Sequence, residues 1–259
     1  MMDKINSYIK EYGFLFKQLV KRDFKNRYKG TVLGIIWSIL YPLIDFLILF
    51  VVFSKLLGRN TPHYPVYIFC GTLIMAYFRE STREGMRAFL YNSNIITKIK
   101  LPKSIFILSK SFSSLFNLIL TTIVFFIICL IDGISFKLSL ILLVYPIICI
   151  TLFNIGLEFM LSVSYVFFRD TAYIYDLFLV IINYLSATFY SIKSFSIEIQ
   201  RLFLLNPIYC YIEYFREIVI NNRVPSVLLH VLCLIYALIA LFIGVRVYKA
   251  NSKKFIYYL

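Results

Sequence analysis

The chain has 259 residues, of which 61% are hydrophobic and 15% charged, and a formal net charge of +14. With a mean hydropathy of +0.82 it has too little polar material to cover a soluble surface, so the expected class is an all-α integral membrane protein forming one domain. A strongly basic chain would suit nucleic acid, but the distribution of the charges along this one fits a membrane instead.

Residues 4–27 place Ile5, Tyr8, Ile9, Tyr12, Phe16, Leu19, Val20 and Phe24 at helical spacing, with lysines mostly on the other faces. That pattern predicts an amphipathic helix lying in the headgroup plane within 1–32; packing on a partner protein is the alternative. Near Gly30 to Gly34 the chain turns from this surface into the bilayer. The first apolar run has no small-residue cleavage site behind it and is expected to stay as a membrane helix. Runs of about 20 apolar residues then give six spans, at 33–57, 64–78 with a charged continuation, 105–131, 138–168, 171–190 and 226–248. An even count puts both termini on one side. That side holds 20 of the 27 Lys and Arg and the other seven, which makes it the cytoplasm and leaves 249–259 as a cytoplasmic tail.

Two connections carry more than a loop needs. On the cytoplasmic side, 81–91 reads as a short charged helix between spans two and three, followed by Asn92-Ser-Asn94 and Ile-Ile-Thr-Lys-Ile-Lys-Leu-Pro102. On the outside, within 191–225, an apolar segment precedes Asn206-Pro207. That pair starts a helical pattern of Ile208, Tyr211, Ile212, Phe215 and Ile218, so two short helices re-entering the outer leaflet are expected.

Enzyme signatures are missing. His63 and His230 have no ligand-spaced partners, so no metal is expected, and no phosphate-binding loop or nucleophile elbow occurs. The five cysteines form neither a metal nor a disulfide pattern. Asp45, Glu158 and Asp176 fall within spans, where acids are expensive and functional, yet no base is expected at comparable depth. Trp37, Tyr41, Tyr184, Phe189 and Tyr190 would offer flat faces to sugar C–H groups if they line a path, or would pack helix against helix.

Five stretches, in order, carry a family resemblance. Arg27-Tyr-Lys-Gly-Thr-Val-Leu-Gly-Ile-Ile-Trp-Ser-Ile-Leu-Tyr-Pro42 resembles the start of span one in ABC type-2 permeases that export polysaccharides and polyol phosphates. Tyr64-Pro-Val-Tyr-Ile-Phe-Cys-Gly71, Ile95-Ile-Thr-Lys-Ile-Lys-Leu-Pro102, Phe167-Phe-Arg-Asp170 and Leu205-Asn-Pro-Ile208 are similar to its later landmarks. The resemblance implies a homodimer in the cytoplasmic membrane, docked on two copies of a separate ATPase that binds ATP and Mg, with no cofactor in this chain. It implies a substrate entrance at Arg27, Tyr28, Lys29, Leu33 and Gly34, where Arg27 would meet the phosphate end of an undecaprenyl-linked anionic glycan. ATPase docking would fall to Arg83, Glu84, Arg87, Phe89 and Tyr91, and an exit gate to Asn206, Pro207, Tyr211 and Phe215. The cargo implied is O-antigen, capsule polymer or teichoic acid; a drug, peptide or lipid cargo, and a proton-coupled carrier built on Asp45 and Glu158, are the alternatives.

Overall fold

A computed structural model describes residues 2–34, 36–57, 62–98, 101–252 and 254–258, with the side chains of 2–11, 27–28, 55–57 and 256–257 outside the description. Every regular element among these residues is helical. Helix α1 (Met2–Tyr28) carries the basic amphipathic segment and crosses the first half of α5 (Ser104–Ile131). Phe16 meets Phe112 edge-on at 5.3 Å, and Phe24 meets Phe116 at 4.9 Å. Residues 29–34 form a turn between α1 and the next helix. Gly30 and Gly34 take left-handed φ of 82° and 52°, which a side chain would strain, and the Gly34 amide donates to Thr31 Oγ1 at 3.1 Å. Helix α2 (Ile36–Leu57) follows.

The break expected after Phe78 is absent. Helix α3 runs from Tyr64 to Tyr91 over 28 residues, about 42 Å at 1.5 Å per residue. The separate helix expected over 81–91 is its second half. Ser81, Thr82, Gly85, Met86 and Phe89 continue the buried face of the first half, while Arg79, Glu80, Arg83, Glu84 and Arg87 are less buried. Mean hydropathy therefore drops while the amphipathic backbone continues. The single turn α4 (Ser93–Ile96) joins α3 to α5.

The run expected to span at 138–168 opens as a 3-10 turn, Leu138–Leu143, and becomes α6 (Val144–Phe167). Pro146 sits in the first turn of α6, where its missing N–H is tolerated. Helix α7 (Thr171–Leu185) has 15 residues and stops short of the expected residue 190, because the chain turns at Ala187 with φ 49°. Helices α8 (Ile197–Phe203), α9 (Pro207–Val219) and α10 (Val227–Asn251) complete the bundle. Among the described residues four stretches are long and apolar enough to cross a membrane: Ile36–Ser54, Ser104–Ile131, Leu138–Phe167 and Val227–Asn251. Helix α3 has the length but is charged through its second half.

Hydrogen bonds at the ends set the direction of each helix. His63 Nδ1 lies 2.7 Å from Asp132 Oδ2, so the start of α3 sits beside the end of α5. Tyr145 donates to the His230 carbonyl at 2.8 Å, so α6 and α10 start together. These two helices run parallel and touch through Gly156, Ala240 and Gly244, and no Cβ fits at either glycine. Small residues at a contact let backbones approach closely. The opposite end collects α1, the 92–103 joint and the C-terminal turn. There Lys103 Nζ donates to the Ser252 carbonyl at 2.7 Å, and Phe255 packs on Phe89 at 4.9 Å.

Candidate functional site

At the end of the bundle that holds α1, a cleft of about 570 Å³ opens between α2, α3 and α5. The 29–34 turn borders it through Thr31. Of the expected entrance residues, Lys29 and Leu33 are exposed and Gly34 makes the turn; the side chains of Arg27 and Tyr28 lie outside the described residues. Trp37 and Tyr41, four residues apart on α2, line the same cleft because that spacing puts them on one helix face. They are 43% and 60% exposed, respectively.

The facing wall is a row of arginines on α3. Arg79, Arg83 and Arg87 recur every fourth residue and all line the cleft. Arg79 Nη2 lies 3.7 Å from Asp45 Oδ2 of α2, and Arg83 Nε donates to Asp176 Oδ1 of α7 at 2.8 Å. The sequence reading left these two acids without bases at their depth; each has one. The pairs join residues of different helices, α2 or α7 with α3, so the Arg spacing was visible in the sequence but its partners were not. The neighbouring carboxylates are engaged elsewhere: Glu80 accepts from Asn117 at 2.7 Å and Glu84 from Lys110 at 3.0 Å.

The cleft mouth is tied to the α3–α5 joint through the end of α1. Asp23 is 6% exposed and accepts from Arg22 at 2.8 Å and Ser109 at 3.0 Å. Arg22 also donates to Asn92 Oδ1 at 2.7 Å, and Asn92 donates to the Ala88 carbonyl at 2.7 Å. Close by, burial pulls the Lys103 ammonium below its ordinary value, since desolvation disfavours the charged form.

The remaining expected site residues scatter. Arg83, Glu84 and Arg87 face the cleft, and Phe89 is fully buried; Tyr91, 61% exposed, stands at the open end of α3. Tyr184 is exposed on α7, whereas Phe189 and Tyr190 lie beyond its end. Phe189 stacks on Phe53 at 4.8 Å, and Tyr67 donates to the Tyr190 carbonyl at 2.8 Å. At the other end of the bundle Asn206 caps α9, accepting from the Ile208 amide at 3.0 Å, and Pro207 is the first helical residue. Tyr211 and Phe215 are buried in the core, with Tyr211 donating to the Cys233 carbonyl at 3.0 Å. Arg216, counted from sequence as an outside charge, is 2% exposed. Its Nη2 donates to the Ala187 and Thr188 carbonyls, both at 2.9 Å, and its guanidinium stacks 3.5 Å from the Tyr67 ring. Its place on the apolar stripe of α9, one turn after Ile212, was the available signal.

Known proteins resemble the chain over most of this architecture. An O-antigen export system permease protein from Myxococcus xanthus is 23% identical over 218 residues, covering 83% of this chain and 84% of that protein. Two proteins of the same description from Klebsiella pneumoniae are 25% and 26% identical over 215 residues, covering 81% of this chain and 83% of each. Residues 14–220 match the family described as ABC-2 type transporter. With a match of that extent, the chain belongs to the ABC-2 type transporter family.

Proposed function

We propose that this chain is the permease subunit of an exporter that moves a lipid-linked anionic polysaccharide or teichoic acid across the cytoplasmic membrane, driven by a separate ATPase. The observation that carries this reading is the similarity, over more than four-fifths of the chain, to proteins named as O-antigen export permeases. The cleft supports it: an aromatic wall of Trp37 and Tyr41 suits a sugar face, and arginines opposite suit phosphate. An apolar drug would gain little from that charged wall.

In this reading α3 is a charged second span, and α7, completed by the turn and α8 and α9, is the fifth. Two copies pair, and the exposed faces of α2 and α7 are available for that contact. The end carrying α1 and α4 faces the cytoplasm. Two ATPase copies dock there, on Tyr91, α4 and the exposed Thr97 and Lys98, rather than on the buried 81–91 face. The test is a gene deletion in a strain without a redundant exporter. Lipid-linked polymer should accumulate inside and disappear from the surface, with export restored by the wild-type gene plus an active ATPase. Normal surface polymer after deletion rejects the reading, and ATP-independent transport in proteoliposomes points to a carrier.

A further inference from the structure

The arginine row on α3 goes beyond what a span between two helices requires. Measured from Tyr64, Arg79 lies about 22 Å and Arg87 about 34 Å along the helix, against a hydrocarbon core of about 30 Å. In the orientation proposed above, the row runs from the cytoplasmic headgroup level into the bilayer, a depth at which ionisable groups are costly and mark pathways. Successive guanidiniums stand about 6 Å apart along the axis, so one phosphate group fits between neighbours. Their planar forks match phosphate oxygens, and they hold their charge at any physiological pH.

The acids opposite them are partly exposed, and the Asp45 pair is loose. Asp45 reaches Arg79 at 3.7 Å, beyond hydrogen-bond distance, and Asp176 holds Arg83 at 2.8 Å. They come from two different helices, α2 and α7, and their side chains are 40% and 42% exposed. Each can therefore swing into water without leaving a buried charge behind. Glu80 and Glu84 also line the cleft, but Asn117 and Lys110 engage them. Arg87 also lines the cleft, with its Nε buried and without a hydrogen-bond partner among the described residues.

We propose that Arg79, Arg83 and Arg87 form a phosphate-binding track in the cleft, with Asp45 and Asp176 as internal counter-ions that a phosphate group displaces. The ligand class is a lipid-borne phosphate, brought in either by a polyprenyl carrier or by an anionic phospholipid. The track deepens the export reading and rests on it for the identity of the cargo; the binding itself is measured independently of export.

Trp37, the sole tryptophan of the chain, lines the same cleft and reports its occupancy. Full-length protein in phosphatidylcholine nanodiscs is titrated with undecaprenyl phosphate, phosphatidylglycerol or undecaprenol while the emission of Trp37 is read. A saturable change is expected with one or both phosphates and none with undecaprenol; the tighter phosphate names the carrier. Arg79→Gln with Arg83→Gln should raise the midpoint by about tenfold or more, as losing charged hydrogen bonds does. Asp45→Asn and Asp176→Asn should each lower it, because a competing carboxylate is gone. If the double variant does not fold, Arg87→Gln carries the same test, since the Asp45 and Asp176 pairs are made by Arg79 and Arg83. Equal midpoints for wild type and arginine variants, or weaker binding in Asp176→Asn, overturn the track and make the pairs simple helix ties. Phosphate binding with normal surface polymer in the deletion strain keeps the track and removes the export reading; arginine-independent binding with lost surface polymer does the reverse.

Discussion

Gly85 of α3 lies against the side chain of Glu158 on α6, with no room for a Cβ between them. Ser81, one turn earlier, donates to Glu158 Oε1 at 2.5 Å, and the carboxyl is fully buried. Gly85 thus allows a polar side chain to seat inside the α3–α6 contact. Gly85→Ala is expected to cost about 1–3 kcal/mol through overpacking, read as a lower thermal midpoint in detergent. Glu158→Gln, which keeps an acceptor for Ser81, should leave the midpoint closer to wild type.

Asp23 ties α1 to α5. Asp23→Ala removes the carboxylate shared by Arg22 and Ser109, while Arg22 keeps Asn92, so the cost is that of lost charged hydrogen bonds, about 1.5–3 kcal/mol. The loss should be local, so limited trypsin digestion is the measurement: cleavage at Lys17, Lys21 and Lys25 should accelerate while the rest of the bundle stays protected. Unchanged cleavage would mean that the Phe16–Phe112 and Phe24–Phe116 contacts hold α1 without Asp23.

Arg216 closes the turn after α7 by binding two carbonyls with one nitrogen. Lysine lacks the planar fork, so Arg216→Lys should already destabilise the segment. Arg216→Ala leaves two buried acceptors unpaired, at about 1–3 kcal/mol each. Faster amide hydrogen exchange over 186–196 is the expected signature, ahead of any global unfolding.

The docking proposal separates two neighbouring positions. Lys98→Glu, on the exposed joint, should cut copurification of the ATPase by about tenfold, as reversing a charge at an interface does, and leave the thermal midpoint alone. Phe89→Ala should destabilise the chain by about 3–5 kcal/mol of lost core packing, read as a lower thermal midpoint, before it changes any docking. If Lys98→Glu copurifies normally and Phe89→Ala releases the ATPase without destabilising the chain, the dock belongs on the α3 face after all.

The apolar runs of α2, α5, α6 and α10 were legible because each is long, strongly apolar despite one or two charged residues, and continuous over at least four turns. The start signal Asn206-Pro207 was legible too, since a side-chain cap is a local device. The stretch of α3 past Phe78 read as a separate short helix because its cleft-side arginines and its buried Ser81, Thr82 and Gly85 both lower hydropathy, although only the former are even partly exposed. The early end of α7 was hidden for another reason. The turn at Ala187 is held by Arg216, about thirty positions away in the chain, and by the Thr188 carbonyl lying where Gly71 offers no Cβ. Pairings such as Asp45 with Arg79 depend on which helices become neighbours, which no single-segment periodicity encodes.

Arg22 grips Asn92, the residue between the last turn of α3 and the only turn of α4, while the adjacent Asp23 grips α5. Seven residues further on from Asp23, Gly30 takes a left-handed φ of 82° that a side chain would strain. The same clamp thus joins the α3–α4 corner to α5 within a few residues of the glycine turn that borders the cleft.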